Sequence, residues 1–109
     1  MKEKEIKQMI NSMGLPTAYH HFAEGQSPST PFIVYLYPGS HNFSADGKVY
    51  KKANKLDIEL YTDLKNPEIE KRLEAVLDEH GLFYEKTETY LDTENMYEVL
   101  YEMEVMIDE

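Results

Sequence analysis

LDIELYTDLKNPEIEKRLEAVLDEHG, residues 56–81, changes its hydrophobic period part-way along, and that change decides the fold class. Leu56, Ile58 and Leu60 share one face while Asp57 and Glu59 take the other, the two-residue alternation of a half-buried strand. Past Asn66 the apolar residues are Ile69, Leu73, Val76 and Leu77, which form one helical stripe. Asn66 is a good N-cap and Pro67 suits the first helical position. Glu68 and Glu70 lie near the positive end of the helix dipole, and Gly81 closes the helix after His80. Strand and helix are therefore interleaved.

Downstream, two strands are expected over Phe83 to Leu91 and Met96 to Ile107, joined by the turn Asp92-Thr93-Glu94-Asn95. In the last strand Tyr97, Val99, Tyr101, Met103, Val105 and Ile107 face one way, and Glu98, Glu102 and Glu104 the other. Leu100 and Met106 interrupt that polar face and suggest a second contact surface.

Upstream, Lys48 to Thr62 reads as one long strand. Val49 and Lys51 fall on the opposite parity to Leu56, so a bulge or break is expected near Ala53-Asn54. Phe32 to Tyr37 (FIVYLY) is apolar on both faces and suits a central strand, ended by Pro38. Between them Gly39 to Gly47 is a polar loop with a tight Asp46-Gly47 turn, so residues 32–62 form a long hairpin. Glu24 to Pro31 is a loop, and Thr17 to Phe22 a short edge strand. Ile6, Met9, Ile10 and Met13 give a first helix over Glu3 to Met13, stopped by Gly14 and Pro16. The order α-β-β-β-α-β-β predicts an α+β fold: a mainly antiparallel sheet with two helices packed on one face, in a single domain, 1–109.

The 109 residues include 11 Lys+Arg against 21 Asp+Glu, a formal charge of −10. Residues 1–66 hold eight basic and seven acidic side chains; residues 67–109 hold three basic and 14 acidic. Such a surface repels phosphate backbones, which argues against groove binding or sequence-specific binding to nucleic acid. A solvated face is the commonest reason for such acidity; the sharper readings are a surface for a basic partner or the lining of a nucleic-acid channel. The absence of cysteine excludes disulfides, thiolate metal sites and cysteine nucleophiles. No apolar run approaches the ~20 residues that span a bilayer, and MKEKEIKQMI lacks a signal-peptide core, so a soluble intracellular domain is expected.

No enzyme signature emerges. His20 and His21, adjacent on a strand, would point to opposite faces; His41 lies in a loop and His80 at a helix end. None of the five serines lies in a G-x-S-x-G elbow, and the glycines do not cluster into a phosphate cradle. No catalytic residue, metal or cofactor is therefore assigned. The nine tyrosines and four phenylalanines are the unusual feature. Phe43 stands in a polar loop where little core is available, and an aromatic there suits an interface anchor. Tyr37, His41, Phe43 and Tyr50, around the hairpin, are the candidate interface residues, and Glu98, Glu102 and Glu104 the candidate acidic face.

AYHHFAEG (18–25), PFIVYLYPGSHNFSADGKVY (31–50), LDIELYTDLKNPEIE (56–70) and MYEVLYEMEV (96–105) resemble a family of small tail-morphogenesis proteins of long-tailed phages and prophages of Gram-positive bacteria. That family is similar to the tail-terminator or tail-completion proteins. The resemblance spans roughly residues 3–107 and rests on overall wording and element order. It implies a structural subunit of the virion tail, assembled in the host cytoplasm. Six copies would form a ring that caps the tail tube and offers a surface for head attachment, and DNA would pass through the hole. The implied partners are further copies of the chain, the major tail tube protein and a head-completion or connector protein. Beyond what the family implies, two hypotheses are that part of the acidic face (Glu98, Glu102, Glu104 and neighbours) lines or borders the hole, and that the Gly39–Lys48 loop, with Phe43, orders against a neighbour or the tail tube. A head–tail joining protein of the same neck remains an alternative. So do an acidic protein-binding module that mimics DNA and a small-ligand domain of the same layout.

Overall fold

The computed structural model describes residues 1–40, 43–45, 48–51 and 53–107, with only backbone described inside 41–52. Helix α1 (Glu3–Asn11) and helix α2 (Pro67–Glu79) accompany strands β1 (Thr17–Tyr19), β2 (Phe32–Leu36), β3 (Phe43–Ala45), β4 (Lys48–Lys51), β5 (Asn54–Thr62), β6 (Tyr84–Leu91) and β7 (Met96–Val105). Five strands form one sheet in the order β1-β2-β5-β7-β6, and β3 and β4 form a separate two-stranded ribbon. All pairings in the large sheet are antiparallel except β1 with β2. The fold is α+β, a mostly antiparallel mixed sheet with two helices, and apart from the ribbon the elements follow α-β-β-β-α-β-β.

Register explains where the core sits. Ile33 lies opposite Leu60, which lies opposite Val99; Tyr35 lies opposite Ile58, which lies opposite Tyr101. These residues share one face of the pleat, and all are buried. Ile6, Met9 and Ile10 of α1, with Met13 just beyond it, and Leu73 and Leu77 of α2 pack into the same cluster, so both helices cover that face. Asn66 caps α2 as expected, its side chain accepting from Ile69 N at 3.2 Å, and Gly81 follows the helix at φ +68.

Several expected elements differ from those observed. Helix α1 ends at Asn11 because Ser12 already serves as its C-cap and Gly14 turns the chain at φ +80, although Met13 stays buried. The first strand stops at Tyr19, because His20 adopts φ +66 and leaves the extended region. β2 is second from the edge rather than central, although Ile33, Val34 and Tyr35 are buried on both faces. The single strand over 48–62 is two, β4 and β5, separated at Ala53 near where the parity reversal placed a break. Part of the expected polar loop is strand β3, and the hairpin's ends are held by Lys55 N donating to Gly39 O at 2.9 Å. Phe83 precedes β6, and β7 ends at Val105 rather than Ile107. The Asp46-Gly47 turn lies outside the described residues. No helix among the described residues is long and apolar enough to cross a membrane.

Candidate functional site: the acidic face of the sheet

The alternation that buries Leu56, Ile58 and Leu60 turns Lys55, Asp57, Glu59 and Tyr61 to the face away from the helices. On β7 the same rule turns out Glu98, Leu100, Glu102 and Glu104. Strand pairing then assembles rows across this face. Asp57 lies opposite Glu102, and Glu102 lies opposite Glu85 of β6. Three carboxylates thus occupy successive places in one row, with side-chain neighbours roughly 5 Å apart by the geometry of paired strands. Among the described residues none of the three has an ion-pair partner. Burial first, then the charge of Glu102, raises the Asp57 carboxyl above its ordinary value against the opposing pull of Lys55.

Further along, the Tyr61 hydroxyl stands between two carboxylates, 3.0 Å from Glu59 Oε1 and 2.8 Å from Glu98 Oε2. Burial raises Glu59, the hydrogen bond from Tyr61 opposes this, and Glu98 and Asp57 add to the rise. The Tyr61 phenol is itself pushed far up, by burial and then by Glu98 and Glu59, so it remains a donor. Its ring stacks on Phe32 at 5.1 Å, and Phe22 meets Phe32 edge-on at 5.3 Å. The Phe32 and Tyr61 rings, with Ser29, Asp63 and Met96, line a cavity of about 580 Å³ at this end of the face.

A groove of about 580 Å³ is lined by apolar Leu82, Phe83 and Met103 beside the Asp57–Glu102–Glu85 row, with Lys55 and Glu104 at its margin. Phe83 is 79% exposed. A large aromatic side chain so exposed beside carboxylates gains little in the isolated subunit, and such residues recur as anchors in interfaces.

The helix-covered face also carries charge, but paired. Glu70 is only 3% exposed. Its carboxylate meets Lys65 Nζ and Lys86 Nζ, each at 2.8 Å. Lys65 reaches on to Glu88 at 2.6 Å, and Lys86 to Glu74 at 2.7 Å. The Tyr101 hydroxyl donates to Glu74 Oε2 at 2.8 Å. Burial alone would raise the Glu70 carboxyl; hydrogen bonds from Lys65 and Lys86 outweigh it and hold it below the ordinary value. This network fixes α2 to β6.

The structure brings Glu98, Glu102 and Glu104 onto one face, joined by Asp57, Glu59 and Glu85. Sequence parity had already turned Asp57 and Glu59 outward, but nothing local revealed the register that aligns Asp57, Glu102 and Glu85. Tyr37 lies apart from these carboxylates, packed against the helix-side core with Tyr35 and Tyr19. Its backbone N–H donates to Tyr19 Oη at 3.2 Å, and burial, then Glu3, pushes its phenol up to about 12. His41 and the side chains of Phe43 and Tyr50 lie outside the described residues. His20 and His21 do not point to opposite faces: with His20 in the left-handed region their rings meet, Nδ1 to Nδ1 at 3.0 Å. Among the described residues no group of three or more His, Asp or Glu side chains is arranged to hold a metal ion.

No protein-family model matches the chain, and no curated protein is significantly similar to it.

Proposed function

We propose that this chain is a structural assembly subunit, a tail terminator or tail-completion protein that closes into a ring on a phage tail tube. A head–tail joining role in the same neck is the nearest variant. The observation that supports it is the unlike character of the subunit's surfaces. The sheet keeps an acidic face, with an exposed aromatic anchor at one end, outside its own core. The β3–β4 ribbon belongs to no part of that sheet. A ring needs such heterologous patches, one meeting a different one on its neighbour. Glu98, Glu102 and Glu104 would border the central hole, where like charge keeps passing DNA from adhering.

Native mass spectrometry over a wide concentration range, with negative-stain images of the same sample, tests the reading. A closed oligomer with a hole is expected, six subunits being the number the resemblance implies. A ring with the three glutamates on its outer rim would remove the channel role. The Asp57–Glu102–Glu85 row, which forms no ion pair among the described residues, favours one rival, an acidic module that binds a basic protein. A chain that stays monomeric and binds a basic nucleic-acid enzyme tightly at low salt would establish that instead.

A further inference from the structure

We infer that the groove formed by Leu82, Phe83 and Met103 beside Asp57, Glu85 and Glu102 receives the β3–β4 ribbon of a second copy of this chain. The inference rests on the ring reading, gives it a specific contact, and moves Glu102 from the border of the hole into the contact between subunits.

Two observations select this occupant. The first is charge complementarity. The groove is lined by Leu82, Met103 and an exposed phenylalanine and by three carboxylates that form no ion pair among the described residues, with Lys55 at its margin. Two of the chain's 11 basic residues fall in the four residues of β4, Lys48-Val49-Tyr50-Lys51. No other strand has two lysines, and β3 adds Phe43 to the same ribbon. A cationic, aromatic strand matches an acidic, apolar groove.

The second is position. The ribbon joins the sheet where Ser40 bridges Asn54 and Lys55 N donates to Gly39 O. Lys55 itself lines the groove. Ribbon and groove therefore lie at the same end of the sheet. Subunits standing side by side around a ring present both at one level, so each ribbon reaches sideways to its neighbour. That contact is heterologous and repeats identically around a closed cycle.

The experiment compares the full chain with Phe83→Asp, with a groove-reversed double variant (Glu85→Lys, Glu102→Lys) and with a ribbon-reversed one (Lys48→Glu, Lys51→Glu). Native mass spectrometry and sedimentation are run across protein concentration, and circular dichroism confirms that each variant is folded. The unaltered chain should assemble, and each variant alone should assemble roughly tenfold or more weakly. Mixing the two reversed variants recreates opposite charge at every contact. Assemblies with an even number of subunits and equal shares of the two variants should then form. Assembly that all three variants leave unchanged overturns this contact and leaves the ring reading standing. An unaltered chain that is monomeric at every concentration overturns both the contact and a self-assembling ring.

Discussion

The two faces of the five-stranded sheet carry the same acidic side chains in opposite surroundings. Behind the sheet, under α2, Glu70 is almost sealed from water, yet its carboxyl is held below the ordinary value because two ammonium groups converge on it. On the open face Asp57 is less buried, yet its carboxyl is raised, because desolvation is joined by Glu102 and only weakly opposed by Lys55. Burial acts in the same direction at both sites; the neighbours reverse the outcome. Helix-face carboxylates hold the subunit together. Asp57 and Glu59 on the open face oppose its folding, which is the pattern expected of residues kept for a contact outside the subunit.

The largest effect that sharpens this contrast comes from Glu70→Ala. Removing one member of a buried ion pair strands the others, but Lys65 and Lys86 are partly exposed and can turn toward Glu88, Glu74 or water. The loss should therefore be about 2 kcal/mol, below the usual figure for a sealed pair. It is read as a lowered urea midpoint with an unchanged slope. Glu70→Leu combined with Lys86→Met removes acid and stranded cation together and should recover part of it. Tyr101→Phe comes next. Glu74 keeps Lys86 but loses the phenol's hydrogen bond at 2.8 Å, for about 1 kcal/mol. A loss too small to measure would show that Tyr101 is held by packing alone.

The pH dependence should separate the faces by sign. Glu70 has a folded-state value below its ordinary 4.5, so its stabilisation is complete above 4.5 and is lost as pH falls through the lower, folded value. Asp57 and Glu59 have folded-state values above their ordinary 3.8 and 4.5. The folded state therefore binds their protons more tightly, and stability rises as pH falls through those raised values. The full chain should be most stable at mildly acidic pH and weaken on further acidification. Asp57→Asn should flatten the rise and Glu70→Gln the acid-side fall, both measured by urea unfolding across pH. Identical pH profiles for the two variants would end the contrast.

The open face was largely legible in the sequence and the helix-side network was not. Strict alternation in 56–60 and 97–105 assigned Leu56, Ile58, Val99, Tyr101 and Met103 inward and Asp57, Glu59, Glu98, Glu102 and Glu104 outward. The same parity argument located the break before Asn54. Glu70 defied reading because a charged residue in a first helical turn has an adequate local explanation in the helix dipole. Its burial depends on Lys86, a strand residue brought near only by tertiary packing. The faces of β6 were illegible for a related reason: YEKTETYL has no apolar alternation, since its helix-side positions are Tyr84, Lys86 and Glu88. The parallel pairing of β1 and the positive φ of His20 leave no local pattern at all.

The smallest expected effect bears most directly on function. Glu102 lies between Asp57 and Glu85 in the row, and like charges on paired strands repel by a few tenths of a kcal/mol each. Glu102→Lys replaces two repulsions by two attractions on a partly solvated surface. The isolated subunit should gain roughly 0.5 kcal/mol, seen as a raised urea midpoint at low salt that fades as salt is added. The same substitution should weaken assembly if the groove receives the cationic ribbon. A substitution that strengthens the subunit while weakening its assembly would mean that the acidic row is maintained against the stability of the fold. If Glu102→Lys instead destabilises the subunit, the row is not repulsive, the two faces do not differ as argued, and the open face needs no outside partner to account for it.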